Sequence, residues 1–243
     1  MNILSIDFDY FQSVTKEQLR LYPDGIDNET SLSEIVWGSR YSENGKALRE
    51  ISIMQDKFNT IKRVLCEQDV DIPVMIANSH VRIYDFINTA LSGDEELGIC
   101  NVDMHHDILN ENDNLDCGNW IGYILKERSS LGKKTMFKWV HNPISLSVYG
   151  IEEEMKAFEG KITSALKTIE HKKFDSVFLC RSDTWTPPHL DIYFSELCSL
   201  IEERFSNITL ERGIDKPRTM YLEIEEAIGK AYKEIRSKST VRN

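Results

Sequence analysis

The chain is poor in the features that mark secreted, membrane or nucleic-acid-binding proteins. Among 243 residues it has five cysteines, six prolines and twelve glycines. The cysteines (Cys66, Cys100, Cys117, Cys180, Cys198) are odd in number and widely spaced. That excludes a CxxC zinc site or a dense disulfide scaffold and points to a reduced compartment. No apolar run approaches the roughly 20 residues of a membrane span. The opening MNILSIDFDYF has no basic segment and meets Asp7 early, unlike a secretory leader. A cytoplasmic protein with no membrane partner is expected.

Positive charge is also scarce. Lys and Arg number 29 against 40 Asp and Glu, for a net charge of −11. Residues 83–125 hold nine acids and no Lys or Arg. Wrapping a phosphate backbone calls for clustered cations, so no nucleic-acid partner is expected. The basic tail (Lys230, Lys233, Arg236, Lys238, Arg242) reads as a solvated helix end. The composition, 41% hydrophobic and 28% charged, is that of an ordinary globular protein.

Short apolar runs alternate with longer stretches of helical period. Residues 3–7, 72–77, 98–103, 135–140 and 176–180 read as strands buried on both faces. Residues 47–68, 81–91, 120–129, 152–171, 190–205 and 220–236 read as helices. The rhythm predicts a single α/β domain over residues 1–243, three layers deep (α/β/α) with a mainly parallel sheet. Residues 12–45 are polar and long for a connection, which suggests an insertion or lid. Its Tyr22, Trp37 and Tyr41 could grip an extended peptide or serve a contact between copies of the chain. Residues 238–243 read as a flexible tail, and 107–118 as a polar loop.

In open α/β sheets ligands sit beyond the carboxyl ends of the strands, and three predicted strands end in potential metal ligands. The first closes with Asp7 and Asp9. The second runs through Ala77-Asn78-Ser79 to His80. The third ends Asp103-Met104-His105-His106-Asp107. In extended chain, residues two apart share a side, so Asp103, His105 and Asp107 should converge, as should Asp7 and Asp9. Each feature alone has an ordinary structural explanation: a chance DxD, a capping His80. Together, four buried carboxylates call for a compensating cation. Oxygen-rich ligands with two imidazoles suit Mn²⁺, two per chain, better than a thiolate-seeking metal.

These residues resemble the motifs of the ureohydrolase superfamily of arginases, agmatinases and their deacetylase relatives. Asp103-Met104-His105-His106-Asp107 resembles DAHxD, Ser5-Ile6-Asp7-Phe8-Asp9 resembles SxDxD, and His80 resembles the histidine of GGDHS. The resemblance implies an arginase/deacetylase-like fold and a binuclear manganese site. One metal would take Asp7, His80, Asp103 and Asp107; the other would take Asp7, Asp9, Asp103 and His105, so that Asp7 and Asp103 bridge. There are departures: the SxDxD element opens the chain, and GGDHS is reduced to ANSH. In the GNxHG-like Gly118-Asn119-Trp120-Ile121-Gly122, Ile121 replaces the proton-shuttle histidine. This short, rearranged pattern is most similar to the peptide arginases, which convert arginine side chains within ribosomal peptide natural-product precursors to ornithine.

That resemblance implies an arginine-containing precursor peptide as partner and urea as product. Two ions about 3.5–4 Å apart would make hydroxide available to attack the guanidinium carbon. Asp107 would hold the hydroxide proton, and His106 or His141 would protonate the leaving amine. A guanidinium is matched best by a carboxylate fork. Asp183, with Asp191 as the alternative, is the expected acceptor, and Asn119 and Trp185 complete the expected substrate contacts. Three other readings compete: a deacetylase-like amide or amidine hydrolase, a haloacid-dehalogenase-type phosphatase using Asp7 and Asp9, and a non-catalytic binder of basic peptides. The phosphatase reading leaves the 103–107 cluster without a purpose.

Overall fold

A computed structural model of the chain describes residues 1–23, 30–90, 96–108, 114–150, 156, 161–221 and 229. Its centre is a seven-stranded sheet. The strands are β1 (Asn2–Asp7), β4 (Pro73–Ala77), β5 (Leu97–Asp103), β6 (Thr135–His141), β7 (Ile162–Thr163), β8 (Ser176–Cys180) and β9 (Asn207–Leu210). They lie in the order β7-β6-β5-β1-β8-β4-β9, and all six pairings are parallel. A two-residue ribbon joins β2 (Gln12–Ser13) antiparallel to β3 (Ser52–Ile53).

The five central strands are apolar on both faces because both faces are covered. Alternate residues of β1 and β5 enter different cores, since successive side chains of a strand point to opposite sides. Leu4, Ile6 and Val102 pack with Phe58, Ile61 and Leu65 of α3 (Gln55–Glu67) and Phe194, Leu197 and Ile201 of α7 (Asp191–Arg204). Ile3 and Ile99 pack with Ile83 and Ile87 of α4 (Arg82–Ala90) and Ile121 and Ile124 of α5 (Trp120–Ser130). The expected three-layer α/β/α arrangement with a parallel sheet is what these contacts build. Among the described residues no helix is long and apolar enough to cross a membrane.

The structure corrects several element assignments. Much of 12–45 is ordered: β2, the short α1 (Lys16–Leu19) and α2 (Thr30–Arg49), which is broken at Asn44 (φ −130°, ψ 22°). The buried stripe of α2 includes the polar Ser33 and Glu34, and only Trp37, Tyr41 and Leu48 are apolar, so its period is hard to see in sequence. Tyr22, Trp37 and Tyr41 are buried and pack edge-on to one another, which leaves them unable to grip a peptide. The predicted helix 47–68 is interrupted by β3 before α3 begins. Of the predicted helix 152–171, residues 161–171 instead form β7 and a 3-10 turn at Leu166–Thr168. The rest of it, save Lys156, lies outside the described residues, as do nearly all of the predicted helix 220–236 and the tail 238–243.

Candidate metal centre

The six expected ligands come together at the carboxyl ends of β1, β4 and β5, where the strand order switches direction. They do so through turns and not through strand alternation. Asp7 caps a 3-10 turn (Phe8–Phe11), its Oδ1 accepting from the Asp9 N–H at 3.0 Å. That turn folds Asp9 back, and its Oδ1 accepts from the Met104 N–H at 3.2 Å. Asp103 ends β5, accepting from His105 N at 2.8 Å and from Asn101 Nδ2 at 3.0 Å. Asp107 sits at φ +55°, a left-handed conformation that costs a non-glycine residue energy. It is held there by the first turn of α5: Ile121 and Gly122 donate to its carbonyl, and Trp120 Nε1 donates to its Oδ2 at 2.7 Å.

His80 reaches the cluster across β8. Its ring stacks on Phe178 at 5.7 Å, with planes 3° apart, and tilts against Trp120 at 5.0 Å. Its Nδ1 lies 3.2 Å from Asp7 Oδ2, 3.2 Å from Asp103 Oδ2 and 3.1 Å from Asp107 Oδ2. A single N–H cannot satisfy three such oxygens, whereas a cation among them would meet all of them. His105 Nδ1 lies 2.9 Å from Asp9 Oδ2 and 3.8 Å from Asp103 Oδ1. Asp9 Oδ2 is fully buried, with His105 Nδ1 its close polar neighbour. Two ligand groups result, Asp7–His80–Asp103 and Asp9–Asp103–His105. Asp103 is common to both and turns one oxygen toward each histidine.

The opposite ring nitrogens are anchored alike. His80 Nε2 meets Ser5 Oγ at 2.7 Å, and His105 Nε2 meets Tyr149 Oη at 3.0 Å. Donating a proton from Nε2 leaves Nδ1 with a lone pair for a metal, the usual way a neighbouring group fixes a ligand histidine. The donor set, four carboxylates and two imidazoles with no thiolate, fits hard or borderline divalent ions such as Mn²⁺.

Charge is out of balance here. Burial, then Asp7 and Asp103, push the Asp9 carboxyl well above its usual range. Burial and the Asp103 charge push Asp107 up to about 7. Burial would also raise Asp103, but its bonds to His80 and the charges of both imidazoles bring it down to about 2. Burial disfavours imidazolium, yet the surrounding carboxylates raise His80 and His105 well above 6.5. Protons thus hold the cluster together when no metal does.

The other expected site residues have different surroundings. Asp183 is fully buried and forks onto Arg181, at 2.5 Å from Nε and 3.1 Å from Nη2. Asp191, equally buried, forks onto Arg218 at 2.9 and 2.7 Å. Both carboxylates are therefore spent inside the protein, and the expectation that one of them holds a guanidinium is corrected. Asn119 is corrected likewise: its Oδ1 accepts from Asp116 N and its Nδ2 donates to the Asn114 carbonyl, closing the turn before α5. His106 and His141 flank Trp139, with ring centroids at 5.9 and 5.1 Å, and neither belongs to the two ligand groups. Trp139 in turn donates to the Asp103 carbonyl. Burial lowers the His141 pKa. Trp185 does stand at the site, 4.9 Å from the His105 ring, across from Tyr149 at 5.0 Å. His105 is the more open of the two ligand histidines, at 21% side-chain exposure against 2% for His80.

Tyr149 and Asn101 have no motif signature, and Trp120 belonged to the quoted GNxHG-like element without a role of its own. Ser5 belonged to the quoted SxDxD element, but its bond to His80 spans 75 positions. Comparison with protein-family models, curated proteins and solved structures gives no match. The ureohydrolase likeness thus rests on the motif residues themselves.

Proposed function

We propose that the chain is a binuclear metallohydrolase that converts arginine side chains within a peptide to ornithine, releasing urea. The observation that carries this reading is the donor cluster itself: three carboxylate oxygens around His80 Nδ1, and a fully buried Asp9 Oδ2 2.9 Å from His105 Nδ1. Asp7, His80, Asp103 and Asp107 would hold one Mn²⁺, and Asp9, Asp103 and His105 the other. Such ions supply an acidified water and draw electron density from a guanidinium.

The chain's own residues account for the rest. Tyr149 and Trp185 both lie against the His105 ring, and aromatic rings suit a planar cation. With Asp183 and Asp191 committed elsewhere, the net charge of the chain, −11, favours the approach of a cationic guanidinium. Asp107, whose Oδ2 accepts from Trp120 Nε1, would accept the proton of the attacking water. The arginine assignment rests on the resemblance of residues 5–9, 77–80 and 103–107 to the ureohydrolase motifs. Mass spectrometry of an arginine-containing peptide incubated with the protein and Mn²⁺ tests it. Conversion of arginine to the mass of ornithine, with urea released, is the expected result. Acetate release from acyl-lysine with arginine untouched would replace this reading with the amide-hydrolase one.

A further inference from the structure

A cavity of about 440 Å³ opens at the other end of the sheet, by the amino-terminal residues of β1, β5 and β6. Its apolar wall includes Cys100, Met136 and Phe174, and four lysines surround it: Lys138, Lys161, Lys172 and Lys173. Among the described residues no carboxylate lines it, although the chain has 40 acids and a net charge of −11. Local charge is thus reversed against the field of the whole molecule.

The lysines are not equally committed. Lys173 donates to Asp69 Oδ1 at 2.7 Å and to the Glu67 carbonyl at 2.6 Å. Asp175, next along the chain, accepts from the Asn2 N–H through its Oδ2. Lys138 and Lys172 make no ion pair among the described residues. Lys138 is half-buried on β6, and both burial and the charge of Lys172 weaken its hold on its proton. The Cys100 thiol beside it is pushed up to about 12 by burial and so supplies no negative charge. Lys172 is exposed and Lys138 half-buried, and two like charges lining one cavity, without a counter-charge among the described residues, leave a positive potential that a bound anion lowers. The volume lies within the range of small-molecule sites, which combine an apolar body with a few placed polar groups.

We propose that this cavity binds a small organic anion, its head between Lys138 and Lys172 and its apolar body against Met136 and Phe174. The site lies at the opposite strand ends from the metal cluster and does not depend on the activity proposed above.

The test is calorimetric titration of the full chain with 2-naphthoate, 1-naphthyl phosphate, neutral 2-naphthylmethanol and inorganic phosphate. Either naphthyl anion should bind at least about tenfold more tightly than the alcohol or phosphate, a gap of about 1.4 kcal/mol. Which anion binds better distinguishes a carboxylate from a phosphate head. Bound anion should also slow acetylation of Lys138 and Lys172, read by peptide mass spectrometry on the unmodified sequence. K138Q combined with K172Q should weaken binding about tenfold or more, whereas K46Q combined with K126Q, the same charge change on α2 and α5, should not. Equal binding of the alcohol, equal binding of phosphate, an equal effect of the K46Q and K126Q pair or no binding of either naphthyl anion would each overturn the proposal. If the double variant does not fold, the protection measurement on the unmodified chain decides.

Discussion

Two buried charge clusters lie beyond the carboxyl ends of the strands, and they are built on opposite principles. Around Asp183 and Asp191, two carboxylates meet two guanidiniums. Arg218 alone donates to both Asp191 oxygens, Ser33 Oγ and the carbonyls of Asp183 and Thr186. Arg181 adds the carbonyls of Ile214 and Lys216. Charge and hydrogen bonds close within the chain. Around Asp103, four carboxylates meet only two imidazoles, and one ring nitrogen faces three acceptors. Both regions bury carboxylates; only the second leaves their charge unbalanced. A buried acid is therefore informative about function only once its counter-charge has been traced.

The contrast can be broken experimentally. The largest effect is expected from Asp103→Asn, which removes the carboxylate common to both ligand groups. Metal analysis of the purified variant should find neither ion, with arginine conversion at background. Retention of both ions would refute the site. Next comes Arg218→Met, which strands buried carboxylates and should cost about 3–5 kcal/mol in urea denaturation. Metal content per folded molecule should not change. Adding Asp191→Leu should restore much of that loss, because an apolar pair can replace a buried ion pair.

Smaller effects are expected one contact further from the ligands. Ser5→Ala and Tyr149→Phe each remove the group that fixes a ligand histidine, and each should weaken metal affinity about 10–100-fold in a chelator competition.

The smallest effect is a pH slope of opposite sign in the two clusters. In the metal-free protein Asp9 and Asp107 are raised above their unfolded values, so they disfavour folding as pH climbs from about 4 toward 7. His80 and His105 are raised too. Their stabilisation is complete below about 6.5 and is lost as pH rises through their folded values. Metal-free Tm should therefore fall between about pH 5 and 8, and Mn²⁺ should flatten or reverse the slope, since binding displaces protons. Asp183 behaves oppositely. Burial would raise it, but Arg218 and Arg181 lower it, so its contribution is present above about pH 4 and is lost only on further acidification. A metal-free Tm that is level across the neutral range would remove the electrostatic distinction between the clusters.

Much of this was legible in sequence. The five central strands announce themselves because burial on both faces leaves short unbroken apolar runs. The six ligand candidates lie within three short segments, so local motif reading reaches them. What it misses is which partner a polar side chain already has. Asp183 looks like a guanidinium acceptor until Arg181, two positions earlier, is seen to fork onto it, with Arg218, 35 positions later, in the same pocket. Asn119 looks available until its amide is found closing its own turn. Strands of two residues, such as β7, are too short to carry a pattern, and α2 hides because Ser33 and Glu34 occupy its buried stripe.

β1 is made first, but its register partners are distant: Ile3 pairs with Ile99 on one side and with Ser176 on the other. On a ribosome the strand bearing Asp7 waits for most of the chain before it can be flanked. Such non-local pairing slows folding, because loop entropy is lost before contacts repay it. Until β5 arrives the acids beside β1 stay apart, and until β8 arrives His80 has no Phe178 to rest on. The electrostatic tension of the cluster is thus deferred to a late stage of folding, when most of the scaffold that must bear it already exists.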